Sequence, residues 1–143
     1  MATITSHSPE QTAALGEKWG REAQPGMILG LSGELGAGKT QLVKGLARGL
    51  GVAQRIHSPT FALLNEYRDG RLPLYNLDLY RLETVAQIVG AGLEVYFFQR
   101  DGVTVVEWID RWLDLQPEAV RGLRFKRVRI SAIGENERQI DYE

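Results

Sequence analysis

Apolar and polar positions along this chain follow two different periods. In the first third, apolar residues recur every three or four positions in two segments, which predicts two amphipathic helices. The first follows a short β segment at residues 3–5 and begins at Ser8, with Pro9 in its first helical position and Gln11 completing a capping box. The second ends at Gly51, and its apolar face comprises Leu42, Val43, Leu46, Ala47 and Leu50.

Shorter apolar or alternating runs predict the strands. Met27–Ser32 is typical of a buried strand, and so is the valine-rich segment 103–108. Segments 61–67 and 72–80 flank an Asp-Gly turn signal, which predicts an antiparallel hairpin where a plain α/β protein would have another crossover helix. We expect a helix over 84–98, although Gly90 and Gly92 argue against its continuity.

The C-terminal segments 123–132 and 138–142 alternate enough to form a second hairpin, with Gly134 at its bend. The order of elements predicts an α/β fold of three layers, in which a mixed sheet has helices on both faces. With 143 residues the chain is long enough for a sizeable core, and we expect one domain over 1–143.

The composition narrows the function classes. Apolar residues make up 43% and charged residues 24%, as in ordinary globular proteins. There are no cysteines, which excludes disulfides and thiolate metal sites, and the net charge of −1 argues against a stand-alone nucleic-acid binder. No secretory signal or membrane-spanning run is visible, so we expect a cytoplasmic protein with no membrane association.

One segment matches the phosphate-binding loop pattern G-x-x-x-x-G-K-[ST] at every fixed position: Gly33, Glu34, Leu35, Gly36, Ala37, Gly38, Lys39 and Thr40. The glycines let several backbone N–H groups face one cavity. Lys39 can then reach the β- and γ-phosphates, and the Thr40 hydroxyl can ligate Mg²⁺. The predicted strand before the loop and the helix after it complete a P-loop NTPase-like arrangement. We expect Lys39 to bind phosphate and to pack little against the protein.

Phosphoryl transfer also needs an acidic residue at the end of a neighbouring strand. Glu107 fits this role because it ends such a strand, and the less favoured alternative is a surface glutamate at a strand end. Trp108 either lines the nucleotide site or fills the core, and strand alternation predicts that its side chain turns to the face opposite Glu107. Alternation places Asn76, Asp78 and Tyr80 on one face of their strand, where Asp78 could orient the attacking water or a magnesium-bound water. The alternative is a salt bridge from Asp78 to Arg81 or another arginine.

Two further features have open interpretations. The segment Ser58, Pro59, Thr60 lies where nucleotide switches place a hydroxyl on magnesium, but such sequences are also common in turns. A basic stretch is either a solvated strand face or a docking surface for an acidic partner or an RNA backbone; it comprises Arg121, Arg124, Lys126, Arg127 and Arg129.

Taken together, the phosphate loop, Ser58-Pro59-Thr60-Phe61, Asp78-Leu79-Tyr80-Arg81-Leu82 and Val106-Glu107-Trp108 resemble the TsaE family (older name YjeE) in order and spacing. The resemblance implies an ATPase that acts beside the proteins TsaB and TsaD in making threonylcarbamoyladenosine in tRNA. TsaD would carry out the modification. ATP hydrolysis would reset the complex between turnovers, and contact with tRNA would be indirect.

The resemblance also implies roles for individual residues. Lys39, Asp78 and Glu107 would be catalytic, and Thr40, Glu107 and the switch-like Thr60 would handle Mg²⁺. The remaining nucleotide contacts would come from the loop and its surroundings: Gly33, Leu35, Gly36, Ala37, Gly38, Lys39, Thr40, Gln41, Asp110 and Ala132.

Three other functions are alternatives to this one. A small P-loop kinase would need an arginine-rich lid and a second substrate pocket, for which the chain has little length. A GTPase would need an Asn-Lys-x-Asp segment, which is absent from the sequence. A nucleotide-gated assembly factor with negligible turnover differs from an ATPase only in rate, and the sequence does not separate the two.

Overall fold

The computed structural model describes residues 2–33, 37–56, 64–79, 82–97, 99–110 and 124–143. The strands in these ranges are β1 (Ala2–Ser6), β2 (Met27–Ser32), β3 (Leu64–Tyr67), β4 (Leu74–Asp78), β5 (Val103–Glu107), β6 (Arg124–Ala132) and β7 (Arg138–Tyr142). The helices in the same ranges are α1 (Pro9–Glu22), α2 (Lys39–Gly49) and α3 (Val85–Gly90), followed by a 3₁₀ turn at Glu94–Phe97.

Seven strands of the described residues form one mixed sheet in the order β1-β7-β6-β2-β5-β4-β3. The four central strands β6, β2, β5 and β4 are parallel, so their carboxyl ends meet at one edge. Antiparallel pairs complete both sides, with β3 on β4 and with β7 between β6 and β1. The predicted mixed sheet with an inserted hairpin is therefore confirmed.

Helices cover both faces of the sheet, which confirms the three layers. On one face, the apolar side of α2 packs on β2, β5, β6 and β7, and its five predicted core residues are all buried. On the other face, α3 and the segment after it pack on β2, β4 and β5 through Ile88 and Leu93. The sheet thus has a hydrophobic core on each face. Side-chain alternation along β2 contributes to both cores, since Ile28 lies in one and Leu29 in the other.

Helices α1 and α2 pack against each other at unusually close range. A Cβ atom on Gly16 would lie 2.2 Å from the carbonyl oxygen of Leu42, and one on Gly45 would lie 1.9 Å from that of Ala13. Only glycine permits this approach of two backbones. The packing fixes α2, and with it the position at which the phosphate loop enters the helix.

Two local predictions need correction. Ser8 does cap α1 through the N–H of Gln11 at 3.1 Å, but the Gln11 amide accepts from the N–H of His7 instead of returning to Ser8. The helix predicted over 84–98 is not continuous. It ends at Gly90, and Gly92 then adopts a left-handed backbone with φ +74° before the 3₁₀ turn begins. Across the described ranges, no helix has the length and apolar character needed to cross a membrane.

Candidate functional site

The described parts of the phosphate loop lie between the end of β2 and the start of α2. Gly33 has φ +147°, and a Cβ there would come within 2.5 Å of the carbonyl oxygen of Ile130 on β6. Gly38, with φ +104°, is the N-cap of α2 and makes no side-chain capping bond. The first-turn N–H groups of α2 therefore suit an anionic ligand. Leu35 and Gly36, predicted to bind phosphate, lie outside the described residues.

Lys39 is buried, with 6% of its surface exposed, so the expectation that it packs little is wrong. Its Nζ donates a 2.9 Å hydrogen bond to the carbonyl oxygen of Gly33 and lies 4.2 Å from the centre of the Trp108 ring. Burial lowers the pKa of Lys39 below its ordinary value, and the negative charges of Glu107 and Asp78 oppose this effect. The lysine thus lies among the two acids predicted to be catalytic.

Glu107 and Asp78 lie side by side at the ends of two parallel strands. They are register partners between β5 and β4, and alternation places both on the face covered by α2. Their exposures are 6% and 7%, so Glu107 is not a surface glutamate. Burial, reinforced by the charge of Asp78 and opposed by that of Lys39, raises the pKa of Glu107 to about 7. The alternative partner of Asp78, Arg81, lies outside the described residues.

Asn76 is a site residue that the sequence analysis placed on the correct face without assigning it a role. Its side-chain amide hydrogen-bonds the Glu107 carboxylate, and it is 1% exposed. Its Oδ1 is the one buried side-chain oxygen or nitrogen without a hydrogen-bond partner in the described part of the chain. An acceptor in this state is suited to a ligand that brings its own donors. The signal in the sequence was its position two residues before Asp78.

These oxygen atoms fit a magnesium ion by their chemistry. Mg²⁺ prefers hard oxygen donors and keeps several of its waters, which the buried Oδ1 of Asn76 could accept from. The Thr40 hydroxyl and the carboxylate of Glu107 are the candidate direct ligands. Within the described ranges no group of three or more acidic, histidine or cysteine side chains could hold a metal. Thr60, the third predicted metal residue, lies outside those ranges.

The Trp108 side chain contacts both the site and the opposite face of the sheet, because its ring lies over Lys39 while it also packs, partly buried, against the cluster that contains Ile28 and Leu77. The expectation that alternation turns it away is therefore correct only in part. The strand ends at Glu107, and Trp108 takes a left-handed backbone with φ +61°, the one positive φ outside glycine in the described residues. That conformation brings the ring over Lys39. It costs on the order of 1 kcal/mol for a residue with a Cβ, and such strain is typical of functional positions.

A pocket of about 420 Å³ opens beside the phosphate loop, a size that suits part of a nucleotide. It brings together four predicted nucleotide contacts, Gly33, Ala37, Asp110 and Ala132. The other lining residues are Ser32, Trp108, Arg129, Ile130 and Ser131. Gln41, also predicted to bind nucleotide, lies partly buried in the first turn of α2 and is not among the lining residues.

The basic stretch does not form one surface, because alternation along β6 distributes it over two faces. Lys126 lies 4.3 Å from the centre of the Trp19 ring, on the side of α1. Arg127 pairs with Asp110, and Arg129 lines the pocket. The interpretation of the stretch as a single solvated strand face is therefore wrong for its described members, and Arg121 lies outside them.

Arg138 is a contact of the phosphate loop that sequence reasoning missed. It begins β7, and its Nε donates a 3.0 Å hydrogen bond to the carbonyl oxygen of Ala37. A single arginine at the start of an alternating strand carries no motif, so no sequence signal could have identified it. It links the C-terminal hairpin to the loop.

Known proteins match most of this chain. The family model "Threonylcarbamoyl adenosine biosynthesis protein TsaE" matches residues 6–140. The tRNA threonylcarbamoyladenosine biosynthesis protein TsaE of Bacillus subtilis is 40% identical over 135 residues, 94% of this chain and 80% of that protein. The protein of the same name from Treponema pallidum is 43% identical over 113 residues, 79% of this chain and 82% of the relative.

A solved structure supports the fold. The crystal structure of Bacillus subtilis YdiB matches with a TM-score of 0.75 at 30% sequence identity, covering 99% of this chain and 83% of that one. The mixed sheet, the phosphate loop and the family match agree with one another. The chain belongs to the TsaE family of tRNA threonylcarbamoyladenosine biosynthesis proteins and has a P-loop NTPase-like fold.

Proposed function

We propose that this protein binds and hydrolyses ATP, with Mg²⁺, as a subunit that acts with TsaB and TsaD in the threonylcarbamoyladenosine modification of tRNA. The observation that carries the proposal is the convergence of Lys39, Asp78 and Glu107 beside the start of α2. A cation for phosphate and two buried acids at adjacent strand ends are the parts that phosphoryl transfer to water requires.

Each of these side chains has a separate task in the proposed reaction. Lys39 leaves the carbonyl of Gly33 and pairs with the β- and γ-phosphates, a stronger interaction because both partners are charged. Thr40 and Glu107 hold Mg²⁺, with Thr60 as a further hydroxyl on the switch-like segment. The metal neutralises charge on the phosphates. Asp78 accepts a hydrogen bond from the attacking water and orients it.

The TsaB and TsaD partners follow from the family alone. In this proposal residues 1–143 form one ATPase domain, TsaD carries out the modification, and tRNA is contacted only through the complex. ATP hydrolysis returns the complex to its starting state, which supports multiple turnovers. The reaction requires tRNA and Mg-ATP, so its compartment is the cytoplasm.

The test is ATP hydrolysis by the purified protein with and without purified TsaB and TsaD. We expect slow hydrolysis alone and faster hydrolysis with the partners, lost in a Lys39→Met variant that still binds them. ATP binding without hydrolysis in the full mixture would favour a nucleotide-gated assembly factor. Failure to bind ATP at all would overturn the nucleotide assignment, and phosphate transfer to a small molecule would favour a kinase.

A further inference from the structure

Arg138 connects two segments that are far apart in the sequence. Its Nε donates to the carbonyl oxygen of Ala37 in the phosphate loop, at 3.0 Å. Its Nη1 lies within hydrogen-bond distance of three carbonyl oxygens in the loop between β6 and β7, at 3.1 Å from Gly134, 3.4 Å from Glu135 and 2.8 Å from Glu137. One guanidinium thus bridges the C-terminal hairpin and the nucleotide-binding loop.

The bond to Ala37 has a consequence for the neighbouring amide. The carbonyl of Ala37 and the N–H of Gly38 belong to the same planar trans peptide, in which they point in opposite directions. By holding the carbonyl on its own side, Arg138 turns the N–H of Gly38 away from itself. Gly38 is a fixed position of the phosphate-binding pattern, where backbone N–H groups supply the anion contacts.

Gly38 itself restrains the orientation of this peptide little. Gly38 has φ +104° and no Cβ, so its own backbone energy does little to select one orientation of the peptide. The N-cap position also lacks a side-chain hydrogen bond that could hold it. The Arg138 side chain packs along Gly38 at 3.8 Å from the position that a Cβ would occupy. The guanidinium is the described side chain placed to fix this peptide.

We propose that Arg138 is a positioning residue for nucleotide binding, which holds the Ala37–Gly38 peptide with its N–H directed to the phosphates. The inference rests on the proposed binding of ATP. The proposed role acts through the backbone of the loop, because Nε donates to the carbonyl of Ala37 while Nη1 donates to a carbonyl of the β6–β7 loop. The role needs the fork of an arginine, whose Nε and Nη1 address two different segments. A lysine ammonium is a single point charge.

The experiment compares Arg138→Ala and Arg138→Lys with Arg124→Ala. Arg124 is a matched control because it lies on the same hairpin and also bonds a backbone carbonyl, that of Pro25, at the opposite end of β6. Calorimetry measures the dissociation constants of Mg-ATP and of inorganic tripolyphosphate, which has no base or ribose. Thermal unfolding checks that each variant is folded.

We expect Arg138→Ala to raise the dissociation constants of both ligands by about tenfold or more. This is the effect of losing a charge-assisted hydrogen bond that orders a phosphate-binding amide. Arg138→Lys should also bind both ligands more weakly than the wild type. Methylguanidinium added to the folded Arg138→Ala variant should restore part of the affinity. Arg124→Ala should bind both ligands with the affinity of the wild type. If Arg138→Ala does not fold, the lysine variant alone decides the question.

Three results would overturn the proposal. Wild-type affinity in Arg138→Lys would show that only charge matters. If the Arg138 variants bind ATP more weakly but tripolyphosphate as well as the wild type does, the arginine shapes the base pocket and not the phosphate loop. Equal effects of Arg138→Ala and Arg124→Ala would indicate a general loss of charge. If the wild type and Arg124→Ala bind neither ligand, the proposed function itself fails, and this inference fails with it.

Discussion

The Nζ atom of Lys39 lies 4.2 Å from the centre of the Trp108 ring and also donates to the carbonyl oxygen of Gly33. The ring therefore contacts the group that we expect to bind the β- and γ-phosphates. When Lys39 moves to a phosphate, the environment of the indole must change. Trp108 is thus placed to report nucleotide binding directly.

The first prediction concerns tryptophan emission. Addition of Mg-ATP should change the emission of the wild type, and Trp108→Phe should remove most of that change. The control is Trp19→Phe, because Trp19 is buried against Tyr142 at a ring distance of 5.2 Å, away from Lys39. A full signal remaining in Trp108→Phe would mean that another tryptophan, such as Trp112, reports the nucleotide.

The second prediction concerns Lys39 itself. Lys39→Met keeps an unbranched, buried side chain but removes the cation, so the variant should fold and bind Mg-ATP more weakly by a factor of about 10–150. Lys44→Met, at an exposed position of the same helix, should retain wild-type affinity. Titration calorimetry measures both, and circular dichroism confirms the fold. Unchanged affinity in a folded Lys39→Met would contradict the phosphate-loop assignment.

The third prediction is a pH dependence of stability without nucleotide. The pKa of Glu107 is about 7 in the folded protein against an ordinary value of 4.5, so between these pH values the folded state binds more protons than the unfolded state. The contribution of Glu107 to stability should therefore fall as the pH rises through this window, by roughly 2–3 kcal/mol between pH 5 and pH 8.

Denaturant unfolding at several pH values measures this effect. Glu107→Gln keeps the shape of the side chain but cannot ionise, so it should flatten the dependence. Glu10→Gln, at an exposed position in the first turn of α1, should leave it as in the wild type. A Glu107→Gln variant with an unchanged slope would show that another group is responsible.

Much of the site could be predicted because its parts lie in regular elements. The phosphate-loop pattern placed Lys39 and Thr40 at the start of a helix, and alternation placed Asn76 and Asp78 on one face of β4. Parallel pairing with β5 then brings Glu107 beside Asp78. These predictions depend on a motif, on periodicity and on the order of elements, all of which are visible in a single sequence.

The failures occur where regular structure ends. Trp108 comes one residue after its strand, where alternation no longer applies and a positive φ redirects the side chain. The predicted helix over 84–98 ends at Gly90, and Gly92 follows with a left-handed backbone; these are the two glycines that argued against its continuity. Arg138 reaches Ala37 across 101 positions of sequence, a contact that depends on the strand order alone. A contact between residues so far apart in the sequence leaves no local pattern from which it could be predicted.

The last prediction separates the tasks of the two buried acids. Asp78 and Glu107 are register partners, yet the Asn76 amide bonds Glu107, and burial favours the protonated form of that carboxyl until a cation arrives. We therefore assign the Mg²⁺ ion to Glu107 and water orientation to Asp78. Glu107→Ala should raise the magnesium concentration needed for both ATP binding and turnover. The reason is that loss of a ligand lowers the affinity for Mg²⁺ during binding and during hydrolysis alike.

Asp78→Asn, in contrast, should bind Mg-ATP nearly as well as the wild type while kcat falls by about 10²–10⁴-fold, the range for loss of a general base. The assay must include TsaB and TsaD, because a site that needs its partners would hide the difference between the variants. Magnesium titrations at saturating ATP separate the two effects. Wild-type turnover in Asp78→Asn under these conditions would make Asp78 a structural residue, and an unaltered magnesium requirement in Glu107→Ala would move the ion to other ligands.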